Sequence, residues 1–433
     1  HKRRQHQVFI MAKKQLETGN NYSNPYRPLP IALFNHAGRF AEKFGVKTKL
    51  CVSSLIANAK KSTGLSDFGD AWFIEPLTVL VDSINKEANL TPLGRLVQKQ
   101  RLESALAIRL RVEELCKTQP EMLDIELGKV IVIAGLQRTG TTTLHRLLAS
   151  DKRMRALLSW EAINPIPLPN ETLGNPKKRI AQAKMAEKGL AYLAPEFFAI
   201  HPVEHDAPEE DVLLLDLSFM SQAPEATMHV PTYAKWLESQ DHTKAYEYLR
   251  KLMKILLWQQ PAPNWVLKTP HHMEYLDTLI KVFPEATIVQ THRDPQKTTG
   301  SFCSMVSHGR GIFSDDVDAT EVARHWVGKV NRLMESSIEV RDEFEKNGKE
   351  NRFIDVSYYD LLKDPDKEVE RIYQFAGLPF DQSALQSVKK TKKKNVQNRF
   401  GKHRYNIEDF ALTVESIEQQ YKFYRERYAI PHE

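Results

Sequence analysis

Cysteine is scarce in this chain. The 433 residues hold three, Cys51, Cys116 and Cys303, far apart and odd in number. That usage excludes a disulfide framework and the paired spacing of a zinc ribbon, and it makes a reducing compartment the default. Long apolar runs are missing too, and none approaches the roughly 18 residues of a membrane-spanning helix. The N-terminus, HKRRQHQVFIMAKK, is basic, but its apolar patch covers only residues 8–11, too short for the core of a secretory signal. Met11 reads as the natural start and residues 1–10 as an added stretch, and the expected location is cytoplasmic. No segment repeats at solenoid spacing. Charge of either sign is close to balanced: 61 Lys and Arg against 55 Asp and Glu leave a formal +6. That excess suits a small anionic ligand and is too weak to argue for nucleic acid.

What is present is concentrated in one stretch, VIVIAGLQRTGTTTLHRLLAS, residues 130–150. Val130, Ile131, Val132 and Ile133 form a β-branched run that reads as a buried strand. Leu144, Leu147 and Leu148 recur at helical spacing. Between them lies a glycine-bounded, threonine-rich turn. Strand, tight loop and helix N-terminus in that order make a phosphate cradle, because free backbone N–H groups and the positive end of the helix dipole meet at one place. The spacing is close to the nucleotide-binding loop G-x-x-x-x-G-K-[ST]. The lysine position is Thr141, however, and the cation sits earlier, at Arg138. The loop keeps the anion cradle and lacks the lysine that handles a triphosphate.

The rest of the chain alternates. Residues 1–29 read as a flexible arm with Pro25 and Pro28. Residues 30–125 read as an all-helical subdomain, with Leu93, Leu96, Val97, Leu102, Leu106 and Leu110 at helical steps and Thr91-Pro92 as a helix start. It packs either on the catalytic domain or on a second subunit, which leaves a homodimer open. Residues 126–433 carry further strands at 264–268, 286–290 and 352–356, separated by helical stretches, and the pattern predicts a P-loop-like parallel sheet flanked by helices. In such sheets ligands bind beyond the carboxyl ends of the strands. Arg138, Lys268, Arg293 and Tyr358 all fall there. The cluster His201, Glu204, His205, Asp206, Glu209, Glu210, Asp211 contains metal-ligand types, but acids ahead of an apolar helix also cap it, and capping is the favoured reading. The lysines of 389–394 read as a solvated face, whereas Lys402, His403 and Arg404 beside Gly401 can fold over an anion.

GLQRTGTTTLHRLL resembles the 5′-phosphosulfate loop of sulfotransferases that use 3′-phosphoadenosine-5′-phosphosulfate (PAPS). THRDPQKTTGS resembles their 3′-phosphate motif, in which an arginine is followed eight residues later by a serine, here Arg293 and Ser301. Lys268 in LKTP is similar to the family lysine that contacts the transferring group, and Tyr358 in VSYYDLLKDP to an aromatic beside the nucleotide. HRYNIEDFAL, GLSDFGD and ANLTPLGRL are similar to the bacterial branch of the superfamily. Cytosolic members have lysine where this chain has Arg138, and a histidine where it has Pro270.

The resemblance implies PAPS as sulfuryl donor, no metal, and an acceptor with a hydroxyl or amine. Thr139, Gly140, Thr141 and Thr142 with Arg138 would hold the 5′ side, and Arg293, Ser301, Lys402, His403 and Arg404 the 3′-phosphate. Arg138 and Lys268 would stabilise the departing charge, and a base would take the acceptor's proton. Glu161 is the first candidate base, His272 the second and His205 the third. Phe197, Phe198, Phe219, Met220, Met228, Tyr233, Met305 and Phe313 are available to line an apolar acceptor pocket, a composition that suits a small or lipid-like acceptor. The alternatives are a P-loop kinase or NTPase, which would want lysine at 141, and a non-catalytic nucleotide-binding protein on the same fold.

Overall fold

The computed structural model describes residues 22–46, 48–349, 351–394 and 403–433. At its centre lie five strands, β1 (Lys129–Ile133), β2 (Met154–Ala156), β3 (Asn264–Lys268), β4 (Ala286–His292) and β5 (Phe353–Ser357). They pair in the order β2-β3-β1-β4-β5, every pair parallel. The register sets Ile133 beside both Lys268 and Val289, so β1 and β3 end level and β4 runs three residues further, to His292.

Strand β1 forms because its β-branched residues fill both sides of the sheet. Val130 and Val132 pack with Trp265, Leu267 and Ile288 in one core. Ile131 and Ile133 pack with Val266, Val289, Leu144 and Leu148 in the other. This is the two-residue alternation of a strand covered on both faces.

Helices α1 (Leu29–Lys43), α2 (Val52–Thr63), α3 (Ile74–Glu87) and α4 (Pro92–Thr118) precede the sheet, and α5 (Thr141–Leu148) follows β1. Later come α6 (Lys177–Leu193), α7 (Thr243–Gln259), α8 (Pro295–Phe313), α9 (Ala319–Lys346) and α10 (Val414–Tyr428). Helix α4 begins where the sequence indicates: Thr91 Oγ1 accepts the Gly94 N–H at 3.0 Å and Pro92 occupies the first turn. Leu77, Leu80, Leu102 and Leu106 share one core with Val130, Val132, Tyr246 and Leu249. The helical N-terminal region is thus continuous with one face of the sheet, and the Thr91 N–H donates to Phe313 O at the end of α8, 2.8 Å.

One strand was not anticipated. β2 is only three residues long with an arginine in the middle, too short for a periodic signal. Arg155 is tolerated there because Glu161 receives it. The stretch after Lys268 also differs, forming a 3₁₀ turn over Pro270–Glu274 before a helix over Leu276–Val282.

The starts of β1 and β3 meet closely. Gly128 has φ +70°, and a Cβ there would lie 1.7 Å from Pro263 O. The left-handed backbone alone costs another residue about 1–2 kcal/mol, and the contact adds to it. Gly128→Ala is expected to lower unfolding free energy by about 2 kcal/mol or more in urea denaturation. An unchanged midpoint would mean that this crossing does not fix the β1–β3 register.

Candidate active site

The cradle begins as β1 ends. Ala134 N–H donates to Val289 O at 2.9 Å, and the loop then turns through two left-handed residues, Arg138 (φ +66°) and Gly140 (φ +88°). Gly140 is required twice over, by its φ and because a Cβ would lie 3.0 Å from the Tyr358 ring. Thr139 is buried; its hydroxyl donates to Leu136 O at 2.6 Å, so the Thr291 hydroxyl donates to it at 2.5 Å. That bond ties the loop to β4. The N-cap residue of α5 is Gly140, which has no side chain to offer, so the first amides of the helix can face an anion. Thr141 is buried at this end and Thr142 is exposed.

Two cations face the loop. Arg138 Nε donates to Ser301 Oγ on α8 at 3.1 Å. Arg293 Nη1 donates to the Arg138 carbonyl at 3.3 Å, and its guanidinium lies 4.1 Å from the centre of the Tyr358 ring. Burial pushes Arg138 down from its usual value, and Arg293 beside it adds to the push. Arg293 is itself held by Glu433, whose carboxylate accepts from Nε at 2.9 Å and Nη2 at 2.7 Å. That bond keeps Glu433 below the usual carboxylate value. The Glu433 N–H donates to Asp294, and Arg425 clamps Asp294 together with the carbonyls of Ile430 and Pro431. His403 lies 3.4 Å from Ser301 Oγ and 3.0 Å from Ser304 Oγ. Arg404 is exposed, and Lys402 lies outside the described residues.

A second charged centre sits at the end of β3. Lys268 is buried; its Nζ donates to Glu210 Oε1 at 2.6 Å, and Thr269 donates to the other oxygen at 3.2 Å. The neighbouring Asp211 accepts the Lys268 backbone N–H at 3.0 Å and pairs with His272 Nε2 at 2.6 Å. Tyr246 OH lies 2.8 Å from the other nitrogen of His272. Burial would raise Asp211, but His272 overrides it and holds the carboxyl down. His201 is close enough to Glu209, Glu210, Lys268 and Arg138 to feel all four charges; burial pushes it down despite the two acids.

The three sequence-nominated bases are placed differently from expectation. Glu161 is buried with both oxygens taken, by Arg155 at 2.9 and 2.6 Å and by the Leu158 N–H at 3.0 Å. His272 is wholly buried with both ring nitrogens engaged, and His205 pairs with Glu187 at 2.7 Å. Glu161 and His272 are thus buried in pairs, His205 is engaged through Nδ1, and Glu210, partly exposed, lies against Lys268. Sequence reasoning weighed Glu210 and Asp211 as helix caps contributing to the active-site rim, or as metal ligands, and not as a base. Their partners are 58 and 61 residues away, at Lys268 and His272, and nothing local signals that. Thr291 and Glu433 were missed for the same reason. Phe219, Met220, Met228 and Tyr233 are buried in the core, while Phe197 and Phe198 remain half-buried, Phe197 beside His201.

Residues 130–382 match the sulfotransferase family. The chain belongs to the sulfotransferase family. Among solved sulfotransferases it is similar to STF1 from Mycobacterium tuberculosis H37Rv, with 32% identity and a TM-score of 0.75 over 87% of this chain and 99% of that one. STF9 from Mycobacterium avium is 27% identical with a TM-score of 0.78, over 89% and 98%. The omega-hydroxy-beta-dihydromenaquinone-9 sulfotransferase Stf3 of Mycobacterium bovis is 24% identical over 263 residues. That match takes in 57% of this chain, which spans 62% of the length of that curated relative. The matched segment of the sulfotransferase family runs from β1 through β5 and so includes the cradle, Lys268, Arg293 and Ser301.

Burial lowers His145 to about 3, with Lys268 adding to the shift, and lowers His403 to about 4, with Arg138 and His308 adding. Unfolded histidine titrates near 6.5. Between that value and about 4 the unfolded chain binds more protons, so the stability these rings contribute is full above pH 6.5 and falls as pH drops through the window. The thermal midpoint should decline from pH 7 to 4.5, and less steeply in His145→Gln. A flat midpoint across that range would mean that the folded protein accommodates the charged rings.

Proposed function

We propose that this protein moves the sulfuryl group of PAPS to a hydroxyl of a partly apolar, lipid-like acceptor. The observation that carries the reading is the meeting of Arg138, Arg293 and Ser301, from positions up to 163 residues apart, at an uncapped helix N-terminus. The site fits the donor on its own evidence of anion binding, since Arg293 already holds a carboxylate through two N–H groups, the same paired donors a phosphate takes. Arg293 and Ser301, with His403, Arg404 and Lys402, would hold the 3′-phosphate. The backbone of Thr139, Gly140, Thr141 and Thr142 with Arg138 would hold the 5′ side, and Tyr358 would lie beside the nucleotide.

PAPS supplies an activated sulfuryl group, which the acceptor oxygen bonds as the bond to the phosphate oxygen breaks. The residues of this chain then have three tasks. Arg138 and Lys268 counter the negative charge that grows on the phosphate and sulfuryl oxygens. Thr139, tied to Thr291, keeps the loop amides in place. Glu210 takes the acceptor's proton, in place of Glu161 and His272, because it is the carboxylate beside Lys268 and is partly exposed. No metal enters this assignment. Thr141 in the lysine position of a P-loop weighs against a kinase or NTPase. A lipid-like acceptor is favoured by the relative named for a hydroxylated menaquinone and by the half-buried Phe197 beside His201.

Calorimetric titration with 3′-phosphoadenosine-5′-phosphate against ADP tests the donor. The 3′-phosphorylated nucleotide should bind better, and Arg293→Ala should weaken it roughly 10- to 100-fold, the worth of one or two charge-assisted bonds. Equal or better binding of ADP would sink the reading. Because nucleotide and Glu433 compete for Arg293, Glu433→Gln is expected to tighten binding roughly 3- to 10-fold.

The base assignment separates two carboxylates. Glu210→Gln should lower kcat by about 10²- to 10⁴-fold with folding intact. Glu161→Ala should instead cost about 3–5 kcal/mol of stability by stranding buried Arg155. Full kcat in the Glu210 variant would remove it from the mechanism.

A further inference from the structure

Helix α1 is amphipathic in the wrong sense for a protein surface. Of its fifteen residues only Asn35 is buried, its side-chain oxygen accepting the Leu93 N–H of α4 at 3.0 Å. Gly38 lies against Pro92 on the same inner side. The outer side carries Leu29, Leu33, Phe40 and then Phe44 just past the helix end, at steps of four, seven and four, which share one helical face. Leu29 is 71% exposed, Leu33 62%, Phe40 65% and Phe44 75%, with Phe34 and Val46 also exposed nearby. The Phe40 and Phe44 rings pack on each other at 4.7 Å. Among the described residues nothing covers this stripe. Polar atoms facing inward and large apolar side chains facing outward together mark an interaction surface.

The charges say which kind. The single carboxylate of α1, Glu42, is turned inward to pair with Arg95 of α4. The exposed titratable groups of the helix are His36, Arg39 and Lys43, with Lys49 following, and of these Arg39 is partly offset by Asp315. A second copy would bring like charges together. One helix of about 22 Å with a stripe one side chain wide is also far short of the about 800 Å² per partner of a stable dimer. A row of Leu and Phe flanked by cations is what the boundary of an anionic bilayer accepts, with the apolar side chains entering the acyl region and the cations at the headgroups.

We propose that the outer face of α1, extended by Phe44 and Val46, docks this protein on an anionic lipid surface. Co-sedimentation of the full chain with phosphatidylcholine vesicles, with and without phosphatidylglycerol, tests it against the double variant Phe40→Glu, Phe44→Glu. Wild type should bind the anionic vesicles and bind the neutral ones less, and the variant should lose about tenfold or more of its partitioning. Its thermal midpoint and its nucleotide titration should be unchanged, which separates this outcome from misfolding and from any failure of the sulfotransferase assignment. Absence of wild-type binding, equal binding to neutral vesicles, or equal binding by the variant would each overturn the proposal. So would a sedimentation-velocity dimer that the variant abolishes, which would give the stripe to a second copy.

Discussion

Three cations converge on one crevice, and the molecule is arranged to tolerate their mutual repulsion. Arg138 and Arg293 are close enough that the second depresses the first, and Lys268 is buried at the end of the neighbouring strand. Like charges in a partly desolvated place are costly unless each has a compensating group. Glu433 answers Arg293, Glu210 answers Lys268, and Ser301 gives Arg138 an acceptor without a charge. Of the three, Arg138 alone receives no carboxylate among these contacts, and it stands in the loop where the helix dipole also points outward. Arg138 is therefore the least compensated of the three cations among these contacts.

The carboxylates divide by the same logic. Glu161 and Arg155 are sealed together, and such a pair is maintained by geometry, since removing one partner strands the other. Glu210 shares its oxygens between Lys268 and Thr269 and keeps part of its surface open. Two glutamates of identical intrinsic chemistry thus sit in opposite environments, one sealed and one partly open. Asp211, next in sequence to Glu210, turns the other way, to His272 and to the Lys268 backbone.

Much of this was legible in the chain itself, for identifiable reasons. Val130 to Ile133 is a β-branched run buried on both faces, and Thr91-Pro92 is a helix start with a mechanism, so both were found. The cradle was found because strand, glycine turn and helix follow without interruption. Arg293 and Ser301 were nominated through their resemblance to a family motif, and the fold brings both to the loop at Arg138. The strand β2 escaped because three residues around an arginine have no period. Glu161 was nominated as base from its place in the sequence, just past the loop helix, and the fold pairs it with Arg155. Glu210 and Lys268 meet only after the sheet has closed, and no local pattern reports that.

The strand order has a consequence for how the chain is made. β1, the central strand, takes its neighbours from β3 and β4, whose first residues lie 135 and 157 positions later by residue number. During synthesis its apolar edge therefore emerges long before any strand can pair with it, and such edges invite aggregation. The helices of the N-terminal region are already complete by then. Leu77, Leu80, Leu102 and Leu106 belong to the core that Val130 and Val132 enter, so a preformed apolar surface is waiting to shelter one face of the strand. On this view the N-terminal helices serve the growing chain as an internal chaperone, and the order of elements along the sequence is itself part of the folding mechanism.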